Sequence, residues 1–169
     1  FDATTLSLSP NTIGDPADYW YTPSGGPGSV GNKIMNAAMY VEIGSLPGET
    51  LIFSGNVLSD TLTLANNPLN VDANGNGWTS TIFIKDFAPD YSSFEITSIP
   101  VTAGAFSISL DTINDPARHV QFGFETIGPN VWIDDVAPYG SVVVETIPEP
   151  TSIALLAVAA GGIWGIRRF

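Results

Sequence analysis

The chain is 169 residues long, 44% hydrophobic, and carries seventeen acidic residues against five basic ones, a formal net charge of −12. That length supports one domain with its own core plus a tail, and a surface so poor in Lys and Arg repels phosphate backbones, which excludes nucleic acid as a partner. The absence of cysteine excludes disulfides, thiolate metal sites and cysteine nucleophiles together.

Up to residue 147 the pattern is that of strands. Short alternating or apolar runs, bounded by Gly, Pro, Asn and Asp, fall at residues 4–9, 39–43, 50–58, 80–87, 94–99, 105–110, 119–126, 130–136 and 141–147. No stretch of the body repeats apolar residues at i, i+3, i+4 and i+7 over several turns, so any helix there is expected to be short. About eight or nine strands separated by turns predict an all-β domain over residues 1–146, with a two-sheet β-sandwich ahead of a closed barrel.

Two long connections interrupt the strands. The first, residues 10–33, is rich in Gly and Pro and holds Tyr19, Trp20 and Tyr21 in a row. Aromatic faces stack on pyranose rings when polar neighbours take the hydroxyls, so these three, with Trp78 and Trp132 further on, are candidates for glycan stacking. Large aromatics also fold back onto cores, although three in a row cannot all point inward. The second connection, residues 59–77, contains NVDANGNGW. Asp72, Asn74, Asn76 and Gly77 match the first half of a calcium loop, D-x-[DN]-x-[DN]-G, in which alternate oxygens converge on the cation. The second half departs from it, because Phe83 stands where a bidentate Glu is required, and Asn-Gly pairs also build plain turns. Asp134 and Asp135 in WIDDV are a second calcium candidate. As strand residues they face opposite sides, so only one joins a given site. The one histidine, His119, lies beside Arg118 in a strand pattern with no catalytic motif around it. No catalytic residue is assigned, and the chain is not expected to be an enzyme.

The run GFETIGPNVWIDDVAPYGSVVV resembles the closing strands of the carbohydrate-binding-module-like jelly-roll domains of exported bacterial proteins. YVEIGSLPGETLIFSGNVLSDTL is similar to an earlier strand and turn of such domains. The resemblance covers most of residues 35–147. It implies a jelly-roll fold and a structural calcium bound by an acidic residue of the last strand, for which Asp134 and Asp135 are the matching positions.

Beyond the body, Pro148, Glu149 and Pro150 precede sixteen uncharged residues, 151–166, and then Arg167 and Arg168. Two prolines stop the last strand and an apolar α-helix begins after them. At roughly 1.5 Å per residue that helix is about 24 Å long, short of the roughly 30 Å hydrocarbon core, so a span with snorkelling flanks and a helix packed on protein are both open. The order Pro-Glu-Pro, apolar helix, basic end resembles the PEP-CTERM sorting signal. That resemblance implies export in a bacterium, a tail held in the membrane during export, and recognition by an exosortase-type processing enzyme at the Pro148-Glu149-Pro150 motif. Arg167 and Arg168 then act as a positive-inside stop. The start at Phe1 fits a processed N-terminal segment. Ala154, Ala157, Gly161 and Gly165 are small enough to let one tail helix pack on another, which predicts self-association into a fibre or sheath.

Together these readings predict a non-enzymatic, exported cell-surface or extracellular-matrix protein, sorted or anchored by its C-terminal helix. The alternative is a carbohydrate-binding module that recognises an extracellular polysaccharide.

Overall fold

A computed structural model of the chain describes residues 5–145; the expected helix, the sorting motif and the helix-packing residues of 147–169 lie outside them. The strands in chain order are β1 (Thr5–Leu8), β2 (Thr12–Ile13), β3 (Tyr21–Thr22), β4 (Val30–Gly31), β5 (Ile34–Ile43), β6 (Thr50–Asp60), β7 (Thr79–Phe87), β8 (Phe94–Pro100), β9 (Gly104–Asp111), β10 (His119–Pro129), β11 (Val131–Trp132) and β12 (Val142–Glu145). Two single 3₁₀ turns, Ile133–Asp135 and Ala137–Tyr139, are the helical elements among the described residues. The domain is all-β, as expected.

Eight of the strands form two antiparallel sheets, ordered β1-β12-β6-β9 and β5-β10-β7-β8. Alternation along each strand decides which side faces in. In the second sheet Phe122 lies opposite Ile84 and Phe124 opposite Ile82, and in the first Leu8 lies opposite Val142 and Phe53 opposite Ile108. These rows meet in one buried core. Phe53, on the first sheet, packs its ring 5.1 Å from that of Phe122 and 5.6 Å from that of Phe124, on the second. The two layers are therefore one sandwich-like unit, joined through aromatic contacts.

The chain changes sheet at almost every connection, β7 to β8 being the one step between consecutive long strands that stays within a sheet. Its turn is closed by the Ala88 N–H donating to Ser93 O (2.8 Å) and the Tyr91 N–H to Ala88 O (2.9 Å). Tyr91 sits there at φ 58, a left-handed conformation that a bulky residue adopts only when its surroundings enforce it.

β5 begins at Ile34, five residues ahead of the run expected at 39–43, and three further boundaries are corrected. Ser59 and Asp60 belong to β6, so the second connection runs over residues 61–78. The first connection contains β2, β3 and β4. The strand expected at 130–136 shrinks to Val131–Trp132, which pairs in parallel with β2 for two residues and then gives way to the 3₁₀ turns. Pro138, which lacks an N–H and fixes φ, is the middle residue of the second of those turns and cannot donate to a ladder there. Asp134 and Asp135 are consequently neighbours on one 3₁₀ turn, not alternating strand residues.

Candidate functional site

The two long connections meet at a pair of fully buried amides. Asn130 donates its backbone N–H to Lys33 O (2.9 Å), accepts the Lys33 N–H on Oδ1 (3.0 Å), and donates through Nδ2 to Trp20 O (3.1 Å). Asn70, from the second connection, accepts the Gly31 N–H on Oδ1 (3.1 Å) and donates to Asn130 O (3.5 Å). A Cβ on Gly31 would lie 1.8 Å from Asn130 O, so only glycine lets the loop come this close. The aromatic-bearing loop is thus bolted to the end of β10.

That bolting decides what the loop aromatics can do. Tyr21 is buried, with its hydroxyl between the carbonyls of Ile13 and Val131 and its ring edge-on to Trp132 at 5.6 Å. Burial holds its phenol above the ordinary value, despite hydrogen bonds with Asn130 and Ile13 that pull it down. Its ring offers no face to a sugar. Trp78 is likewise engaged: it donates to Pro129 O (2.9 Å), packs 4.9 Å from Tyr139, and takes up the space beside Gly128. Trp20 and Trp132 are partly buried and donate to Asp15 (3.2 Å) and Asp134 (3.1 Å). Tyr19 is 62% exposed, but Lys33 Nζ lies 4.0 Å from its ring centre. The five expected stacking residues therefore do not form a common platform.

The expected calcium ligands also have other partners. Asp72 Oδ1 accepts the N–H groups of Asn74 and Asn76 (both 2.8 Å), and Asn76 turns its Nδ2, not its oxygen, toward Asp72 Oδ2 (3.3 Å). The Asn76 N–H bond, ahead of the others, holds the Asp72 carboxyl below its usual range. Asp135 accepts the Gly28 N–H (2.6 Å), and Asp134 the Trp132 indole. Among the described residues no three His, Asp or Glu side chains are grouped so as to hold a metal ion; a calcium site there would draw on amide and backbone oxygens as well.

A different surface gathers chemistry that the sequence reading did not single out. The side of the β5-β10-β7-β8 sheet facing away from the core carries cross-strand rows, of which Glu42, Gln121, Lys85 and Ile96 make one. Gln121 Nε2 donates to Glu42 Oε2 (2.6 Å), and Lys85 Nζ to Glu125 Oε2 (2.9 Å), two rows along. Thr81 and Asn36 also donate to Glu125 (3.2 and 3.4 Å). Burial alone would raise the Glu125 carboxyl; the Lys85 ammonium and these donors outweigh it and hold it below its ordinary value. Lys85 Nζ also stands 4.2 Å above the ring of Phe83, a fully buried residue that lies opposite Gly123.

At one end of this face the Tyr91 ring stacks on His119 (4.7 Å, 13° between planes) and its hydroxyl donates to Glu42 Oε1 (3.2 Å). His119 Nδ1 is 3.9 Å from the same oxygen. The left-handed backbone at Tyr91 is what brings the turn back over the sheet. Tyr40, Tyr91 and Phe94 are each about half exposed (48%, 47% and 46%). Gln121, Lys85 and Glu125 are nearly buried beneath this face and fix it, whereas the Glu42 side chain is 38% exposed, and a carboxylate flanked by half-exposed rings can hydrogen-bond hydroxyls while the rings pack on an apolar face. The signal in the sequence was the alternation H-Q-G-E against V-F-F in β10, which marks a polar side; only the register brings Glu42, Lys85 and Tyr91 to it.

The chain matches no protein-family model, no curated protein and no solved structure.

Proposed function

We propose that the domain is a jelly roll, the body of a non-enzymatic exported protein of the bacterial cell surface or extracellular matrix, and that the outward face of its β5-β10-β7-β8 sheet holds an extracellular polysaccharide. The interleaved strand orders, with the chain crossing between sheets at nearly every step, support the jelly roll. The observation that carries the binding reading is the Glu42-Gln121 and Lys85-Glu125 bonding flanked by the half-exposed rings of Tyr40, Tyr91 and Phe94. Export, membrane retention and an exosortase-type partner rest on the sorting-signal resemblance of Pro148, Glu149, Pro150, Arg167 and Arg168.

Native gels containing soluble extracellular polysaccharide test the reading. The full chain is expected to be retarded, and Tyr40→Ala or Tyr91→Ala to weaken binding about tenfold, or about 1.4 kcal/mol. Retardation lost instead on Trp20→Ala, or absent with every polysaccharide tried, rejects it.

Calcium belongs to the proposal as a ligand of the Asp72 loop or of Asp134 and Asp135. Melting curves with calcium and with chelator separate by an amount that Asp72→Asn or Asp134→Asn abolishes if the ion binds there; coincident curves remove it. Self-association is the structural side of the same reading, supported by the small residues Ala154, Ala157, Gly161 and Gly165.

A further inference from the structure

β5 is an edge strand of unusual character. It runs ten residues, Ile34–Ile43, pairs with β10 on one side, and has no strand on the other among the described residues. Exposed edges are ordinarily blunted by Lys, Pro, short length or inward charge, because their free N–H and C=O groups recruit further strands. β5 contains no Lys or Pro and a single charge, Glu42, while Ile34, Met39, Tyr40 and Val41 are 49%, 48%, 48% and 53% exposed. The β8 edge of the same sheet carries Glu95 and ends at Pro100.

We infer that β5 pairs antiparallel with β5 of a second copy, centred on Met39; the inference rests on the self-association half of the proposed function. The strand is complementary to itself in this register and in no neighbouring one. Asn36 and Glu42 stand three residues to either side of Met39, so each copy's charged residue meets the other's amide. Ala38 faces Tyr40 and Ala37 faces Val41, matching small to large on both faces. Centring on Ala38 instead sets Glu42 against Ile34, and centring on Tyr40 sets it against Ala38. The contact is isologous, as a twofold axis requires. Asn36, Ala38, Tyr40 and Glu42 share the outward side, so the two polar faces merge into one eight-stranded surface.

Because the chain has no cysteine, Met39→Cys in the full chain reports the register directly. Opposed residues of an antiparallel pair lie about 4.5–5.5 Å apart at Cα, within disulfide reach. Mild oxidation is expected to link most of the Met39→Cys protein into dimers and to leave Ile96→Cys, on the β8 edge, monomeric. Adding Asn36→Asp sets two carboxylates beside two others and is expected to cut the yield at least about tenfold, with Glu42→Asn restoring it. A monomeric Met39→Cys protein overturns the inference, as does equal linking through Ile96→Cys or indifference to Asn36→Asp. So does a monomer in which the β5 amides that do not bond to β10 resist hydrogen exchange, which would show the edge covered by the rest of its own chain. Polysaccharide gels on the same variants separate the two ideas: retardation without dimers keeps the binding reading and rejects this one, and dimers without retardation do the reverse.

Discussion

Asp86 is the residue whose environment departs furthest from what its neighbours in sequence suggest. It lies on the inward side of β7 with its side chain 1% exposed, accepting from Arg118 Nε and from the Ile113 N–H, both at 2.9 Å. Removing one member of a buried pair leaves the other charge without compensation, so Arg118→Ala is expected to cost about 3–5 kcal/mol, read as a lower urea midpoint. Asp86→Ala added to it should cost far less than the two single changes summed. Glu125 gives a pH signature. Its carboxyl is held below its ordinary value in the fold, so its stabilisation is complete above the unfolded-state value and is lost as pH falls through the folded one. Glu125→Gln is therefore expected to flatten the acid limb of stability against pH and to lower stability at neutrality. Neither pairing was legible in the sequence. Asp86 reads as the polar end of an apolar run, and its partner lies 32 residues away across two strands.

At the scale of elements, the alternating runs located the long strands to within a few residues, because a half-buried strand imposes period-two hydrophobicity wherever it lies. β5 was legible only over its last five residues: its first half, Ile34-Met35-Asn36-Ala37-Ala38, lies at the sheet edge and needs no clean alternation. The way the loops are fastened was hidden for a different reason. Asn70 and Asn130 are residue types that signal turns, and here they are fully buried fasteners between segments far apart in the chain. Asn130→Ala orphans the Lys33 N–H and leaves the Trp20 carbonyl with the Asn32 N–H alone, and is expected to cost about 2 kcal/mol while opening residues 12–33 to limited proteolysis. Unchanged stability together with an unchanged cleavage pattern would mean the loop is held elsewhere. The aromatic triplet illustrates the same limit: its composition fits a sugar platform, yet the bolting buries Tyr21 and leaves Tyr19 and Trp20 edge-on to each other at 4.8 Å.

For the whole molecule, the all-β architecture followed from composition and periodicity, whereas the pairing of strands did not. β1 pairs with β12 and β5 with β10, and nothing local encodes partners that distant. The outward face inherits this obscurity, since Tyr40, Glu42, Tyr91, Lys85 and Gln121 belong to four different segments. The mapping of amide shifts while a soluble extracellular polysaccharide is titrated into the protein tests that face most directly. Shifts concentrated at Tyr40, Glu42, Lys85, Tyr91, Phe94 and Gln121 are predicted. Shifts confined to the loop around Tyr19, Trp20 and Trp132, or none at saturating polysaccharide, would contradict it.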